Sequence, residues 1–251
     1  IDNIALSSTS VIPNSEGYGT LVNVAGKAVT IDLNGKRIDV SHDTDEMLMA
    51  VFASDTGGTL TLKDSVGSAI VNVVSNENDV YSVATSYNDS SVLYIESGSY
   101  YVDIVGHYSM IYSGENNNTV ISGGHFSLGN AGTRPEGDVY YPWIFNAYGD
   151  GSHYITVTGG TYNAYPMHHH GEVRVPDGYC VGGPDENGLY SVGQHKFVPF
   201  DENSHKCNNC GETEEHSMTN NSCTVCEYSP VMVAAIGEAK YPTIQAAVNA
   251  A

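Results

Sequence analysis

The clearest chemistry in the chain lies toward its C-terminal end. Two Cys-x-x-Cys pairs, Cys207/Cys210 and Cys223/Cys226, are separated by 12 residues. A two-residue gap lets both sulfurs of a pair project from one side of a tight turn, and Gly211 follows the first pair where a knuckle wants an unencumbered backbone. Four thiolates so placed complete a tetrahedron around Zn²⁺ with Zn–S near 2.3 Å, leaving no position for water, so the expected role is structural. His205 and His216 are reserve ligands. Other chemistries use the same residues: iron also takes four sulfurs, and an oxidising exterior permits disulfides across the turns. Redox cycling would need a thioredoxin-like βαβ pattern, which is missing. The segment has too little apolar content to fold unaided, so bound metal would supply its folding energy.

Further candidates lie upstream. The polar insertion Asn130–Asp138 runs into Val139-Tyr-Tyr-Pro-Trp143, the densest aromatic cluster and the site of the single Trp. Tyr140, Tyr141 and Trp143 there are candidate stacking partners for sugar rings; the competing reading packs them as core or as cover for a strand edge. In Met167-His-His-His-Gly171, neighbouring histidines of an extended chain point to alternate sides, so at most two share an ion and a solvated loop is the simpler reading. Asp32, Lys63-Asp64 and Glu96 occupy comparable places in successive repeats. They read as a solvent-facing acidic row, as a Ca²⁺ site, or as an acid–base pair. Cys180 sits in an apolar strand pattern as a buried thiol.

Charge narrows the partners. Asp and Glu number 29 against 9 Lys and Arg, a net charge of −20 over 251 residues. Such a surface repels nucleic acid and anionic lipid headgroups. No apolar run approaches the ~20 residues that cross a bilayer, and no signal peptide opens the chain. The expectation is a processed or excised piece of a secreted protein.

The elements that must position these groups are repetitive. His153-Tyr-Ile-Thr-Val-Thr-Gly-Gly-Thr-Tyr162 alternates apolar and polar residues, breaks at a Gly pair and resumes with an aromatic. Asn118–Phe126, Val92–Tyr100, Leu60–Gly67 and Val29–Gly35 are variants of it, with anchor glycines Gly35, Gly67, Gly98, Gly124 and Gly160 spaced by 32, 31, 26 and 36 residues. A second apolar strip precedes each anchor; Phe52, Val83 and Phe145 lie 15 residues before their glycine and Met110 lies 14 before. Units of this length are too short for propeller blades and lack the leucine-rich skeleton, whereas a parallel β-helix tolerates uneven spacing as loops. The expected fold is therefore all-β, a single-stranded right-handed parallel β-helix (a solenoid) with Ile31, Leu62, Val120 and Val157 stacked above one another. Turns at Pro176-Asp-Gly178 and Asp185–Gly188 predict a hairpin that closes the stack.

Thr30-Ile-Asp-Leu-Asn-Gly-Lys36, Leu60-Thr-Leu-Lys-Asp64 and the Gly-Gly-aromatic repeats resemble pectate-lyase-like right-handed β-helix proteins, most of all surface proteins of Gram-positive gut bacteria. The likeness covers about residues 1–193. A small zinc-ribbon-like module follows over 194–228. Residues 229–251 read as a strand and a helix, with Ile244, Ala247, Val248 and Ala251 on one stripe, opening a further module of the same polypeptide. The superfamily spans lyases, hydrolases, adhesins and inert stalks, so fold does not name activity. The Arg-x-Pro-x-x-Arg pattern of its lyases and the Asn-x-Asp, Asp-Asp and Gly-His-Gly signatures of its hydrolases are missing. The expectation is a non-catalytic secreted or cell-surface protein with an adhesion, glycan-binding or spacer role, whose partner is an extracellular glycan or a host or cell-surface protein. The alternative is a carbohydrate-active enzyme, a polysaccharide lyase or glycoside hydrolase.

Overall fold

The computed structural model describes residues 4–7, 12–13, 19–41, 48–75, 80–104, 109–129, 143–147, 154–167, 173–220, 222–230, 232 and 234–251. The chain divides into two compact units, Ile1–Gln194 and His195–Ala251.

The first unit is an all-β solenoid whose coils each lay one strand into three sheets. The first sheet contains Gly19–Ala25, Leu48–Asp55, Val80–Tyr87, Ser109–Ser113 and Trp143–Ala147. The second contains Ala28–Asp32, Thr59–Lys63, Val92–Ile95, Asn118–Ile121, Ile155–Val157 and Val173–Arg174. The third contains Ile4–Ser7, Arg37–Ser41, Ile70–Ser75, Ser99–Ile104, His125–Leu128 and Thr161–Tyr162. Neighbouring coils pair in parallel, and Ile12–Pro13 lies antiparallel against Gly19–Ala25 at one edge of the first sheet. The expected closing hairpin is present: Tyr179–Gly182 pairs antiparallel with Tyr190–Gln194, which itself runs antiparallel to Thr161–Tyr162.

Parallel register turns the repeat into columns. Ile31, Leu62, Ile95, Ile121 and Val157 stack in the second sheet. The member from the fourth coil is therefore Ile121, not Val120, whose side chain faces outward at half burial. In the third sheet Ile38, Val71, Tyr100, Phe126 and Tyr162 form a column. Its aromatic members lie nearly parallel, Tyr100–Phe126 at 5.3 Å and Phe126–Tyr162 at 5.2 Å between ring centres. Phe145 meets Phe126 and Tyr162 edge-on at 6.3 and 5.6 Å, which places its face of the first sheet inward.

The first sheet departs from the expected strip. Its inward column is Phe52, Ala84, Ile111 and Phe145. Val83 and Met110 fall one residue away, on the opposite face beside Val51 and Ile144, and all four are buried. Leu48–Asp55 is buried along its whole length. A strand covered on both faces loses the period-two signature and reads as a continuous apolar run, as Met47-Leu-Met-Ala-Val-Phe52 does.

The Gly-Gly pairs have two separate causes. A Cβ on Gly123 would lie 2.2 Å from the Glu96 carbonyl oxygen of the coil below, and one on Gly159 would lie 2.0 Å from that of Ser122. The second glycine of each pair, Gly124 or Gly160, takes φ of 109° or 106°, a region closed to most side chains. Gly98 has the same conformation, φ 108°. Gly35 and Gly67 do not share its column. The ladder bonds Ile70 N to Lys36 O and Ser99 N to Ala69 O put Lys36 and Ala69 there. In those two coils the turn is longer and is organised by Asp64 instead.

Asp64 is 7% exposed. Its carboxylate accepts backbone N–H bonds from Ala69 (2.7 Å), Gly35 (2.8 Å) and Val66 (3.2 Å). Ser97 Oγ accepts the Asp64 amide at 2.7 Å, tying the turn to the next coil.

In the second unit, Phe197–Pro199, Ser204–Cys207 and Thr213–Glu215 form an antiparallel sheet, and Met218–Thr219 pairs with Ser222–Cys223. A further hairpin, Ala234–Ile236 with Ala239–Tyr241, precedes the helix Ile244–Ala250. Thr243 caps that helix, its hydroxyl accepting the Ala246 amide at 2.9 Å. Of the expected apolar stripe only Ala247 is buried; Ile244 is 71% and Val248 61% exposed.

Phe126 touches aromatic neighbours in the coils above and below it, so Phe126→Ala leaves a cavity in the middle of the column. The expected loss is about 3–5 kcal/mol, read from chemical denaturation of the first unit.

Candidate metal centres

The structure parts the four cysteines of the second unit between two groups. A single four-thiolate site was expected; instead Cys223 and Cys226 converge with His205 and His216, all four ligand atoms lying within 4.8 Å of one another. Cys207 and Cys210 belong to a second Cys/His group with His195. The spacing of two Cys-x-x-Cys pairs says that each can grip an ion, but it does not say whether they grip the same one. Phe197 stands between the two groups. Its ring stacks on His195 with centres 5.2 Å apart and lies 4.5 Å from the His205 ring, an apolar partition between the two histidines.

Each knuckle is built locally. In the first, the amides of Cys210, Lys196 and Asn209 are directed at the Cys207 sulfur. Burial alone would push that thiol up, but these donors and His195 bring it down to about 6. In the second, burial again opposes ionisation of Cys223, and the amides of Cys226 and Val225 with the His216 and His205 side chains lower it to about 5. Cys226 moves the other way: burial and the neighbouring Cys223 raise it. Two thiolates side by side are unfavourable until a cation lies between them. None of the five cysteines forms a disulfide.

The histidines are oriented as metal ligands are. Cys223 Sγ lies 3.6 Å from His205 Nδ1, and Cys226 Sγ lies 3.5 Å from His216 Nδ1. A tetrahedron with zinc's usual Zn–S and Zn–N lengths has a sulfur–nitrogen edge of about 3.5–3.6 Å, so the residues fit such an ion. The far nitrogen of each ring is engaged outside the group. His216 Nε2 donates to the Asp201 carbonyl at 3.0 Å, and His205 Nε2 lies 3.3 Å from Glu214 Oε2. An acceptor partner on Nε2 fixes the proton there and leaves the Nδ1 lone pair facing inward. His216 also stacks on Tyr228, 4.4 Å between centres and 4° between planes. Cys210 Sγ and His195 Nδ1 are 3.7 Å apart in the other group.

The histidines were legible only as reserves, because sequence shows their proximity to cysteines and not their aim. His195 was missed. It precedes the first pair by a strand and a turn, and no ligand spacing announces it.

Other candidates fare differently. Tyr140, Tyr141 and His168–His170 lie outside the described residues. Trp143 is the half-buried first residue of its strand, opposite Ser109. Cys180 is buried, opposite Gly193 in the closing hairpin. Asp32 accepts amides from Asn34 and Ser65, each at 3.0 Å.

Two groups predict two ions per chain. Cys223→Ser and Cys207→Ser should each retain about half of the native metal and the double variant none, measured by elemental analysis. A shared site would hold one ion, lost in either single variant. Compared with known proteins, the chain matches no family model, no curated protein and no solved structure.

Proposed function

We propose that this chain is a non-catalytic secreted or cell-surface β-helix protein, akin to the pectate-lyase-like surface proteins of Gram-positive gut bacteria. Its solenoid presents an adhesive or glycan-binding surface, and its second unit is held by structural zinc. Zinc is favoured over iron because each Cys/His set mixes imidazole with thiolate, and in the Cys223/Cys226 set the sulfur–nitrogen distances are those of a zinc tetrahedron.

One observation carries the non-catalytic reading. Asp32, Asp39 and Asp64, on the first two coils, are engaged in holding turns and strands. The amide of Ser65, above all, keeps Asp32 ionised, with Asn34 and Lys63 adding to it. Arg37 and Asn72 do the same for Asp39, bonding it at 2.7 and 2.9 Å. Burial pushes Asp64 upward, yet the amides of Ala69, Gly35, Val66 and Gly67 outweigh it and hold its pKa below the ordinary value. A glycosidase acid must be raised, not lowered, to carry a proton at neutral pH. A Ca²⁺ ion at Asp64 would compete with the same amides.

Two measurements follow. Incubation with neutral and acidic polysaccharides should release neither reducing ends nor unsaturated products, and turnover of any of them would overturn the reading. The second concerns pH. Because the Asp64 pKa lies below its unfolded value of about 4, its ionised form stabilises the fold above that pH. That contribution disappears as pH falls through the lower, folded value. Asp64→Asn should cost about 2 kcal/mol at neutral pH and flatten the loss of stability below about pH 4, read from denaturant titrations at several pH values.

A further inference from the structure

The first unit carries a cleft that the columns and turns do not explain. It encloses about 480 Å³, within the ~300–1,000 Å³ typical of small-molecule sites. Tyr87, Asn88 and Asp89 line it from one coil, Tyr112 and Glu115 from the next, and Thr56 from the coil before. The two tyrosines stand on the outward face of the first sheet, both half-buried, with ring centres 6.4 Å apart and planes inclined by 42°. They form a shallow aromatic trough beside exposed carboxylates.

The surroundings hold this trough in place. Asp55, 2% exposed, accepts bonds from Asn88 Nδ2 (2.7 Å), Thr56 Oγ1 (2.9 Å) and Asn23 Nδ2 (3.2 Å). Asn116 Nδ2 donates to Asp89 at 3.0 Å.

Apolar ring faces bordered by hydrogen-bond acceptors suit a pyranose, which offers C–H groups on one face and hydroxyl donors around its rim. The charge of the chain, −20, and the carboxylates of Asp89 and Glu115 set the sign: an anionic sugar is repelled, a neutral one is not. We propose that this cleft binds an uncharged oligosaccharide, with Tyr87 and Tyr112 as stacking platforms and Asp89 and Glu115 accepting hydroxyl hydrogen bonds. This rests on the glycan-binding reading above and assigns it a place.

The test is calorimetric titration of the whole chain with neutral gluco-, manno-, xylo- and N-acetylchito-hexasaccharides, and with hexagalacturonate. The expected result is binding of at least one neutral probe and none of hexagalacturonate. Tyr87→Ala and Tyr112→Ala should each weaken that binding about tenfold or more. Tyr94→Ala, exposed on the second sheet outside the cleft, should leave it unchanged. Asp89→Asn and Glu115→Gln alter exposed rim groups and keep the test decisive if either alanine variant fails to fold; each should weaken binding severalfold. Neutral binding that survives all four cleft variants overturns the cleft while sparing the glycan-binding reading. No binding by the unaltered chain overturns both, and tighter binding of hexagalacturonate overturns the choice of an uncharged ligand.

Discussion

At the corner entering the third sheet, a backbone carbonyl of one coil occupies the volume where the next coil would carry a side chain. Gly123 above Glu96 and Gly159 above Ser122 exist for that contact. Coils in a parallel solenoid sit one ladder spacing apart, about 4.8 Å, with no room to spread at the corners. A residue with a Cβ there would lift one coil and break the ladder bonds on both sides. Since every column depends on the same vertical spacing, the tolerance of this corner limits the packing of the whole first unit. The aromatic column Tyr100–Phe126–Tyr162 shows the result, rings at nearly constant separation because their backbones are.

Polar groups in the solenoid serve that geometry as well. Where a coil lacks the Gly-Gly turn, Asp64 gathers the loose amides of a longer one. Tyr100 and Tyr162 reach back to the carbonyls of Ser97 and Gly159, so the same aromatic that fills the core also closes its own turn. Ser86 bonds to Ser113 and Thr119 inside the corner between the first and second sheets. These bonds satisfy groups that the coil would otherwise bury unpaired.

The second unit solves the opposite problem. Its strands are short and their side chains largely exposed, so no apolar column is available. Its buried residues include Cys207, Cys223 and His205, all ligand types. The groups gathered there repel or remain protonated unless a cation lies between them, whereas cohesion in the solenoid comes from surface withdrawn from water.

The kinds of element in this protein were legible in its residues. Alternation marked the strands of the second and third sheets, the glycine pairs marked the bends, and Cys-x-x-Cys marked the knuckles, because each is imposed within a few residues by backbone sterics or ligand geometry. What lay beyond that range was decided only when the chain came together. Whether Val120 or Ile121 joins a column, and whether Gly67 or Ala69 holds the corner, depends on turn lengths that shift register by one or two residues while leaving the local pattern intact. The fully buried strand Leu48–Asp55 of the first sheet concealed its period for the same reason: burial on both faces is a property of neighbours. The division of four cysteines into two groups was likewise tertiary, since an ion selects whatever ligands folding places around it, and here the ring of Phe197 stands between them.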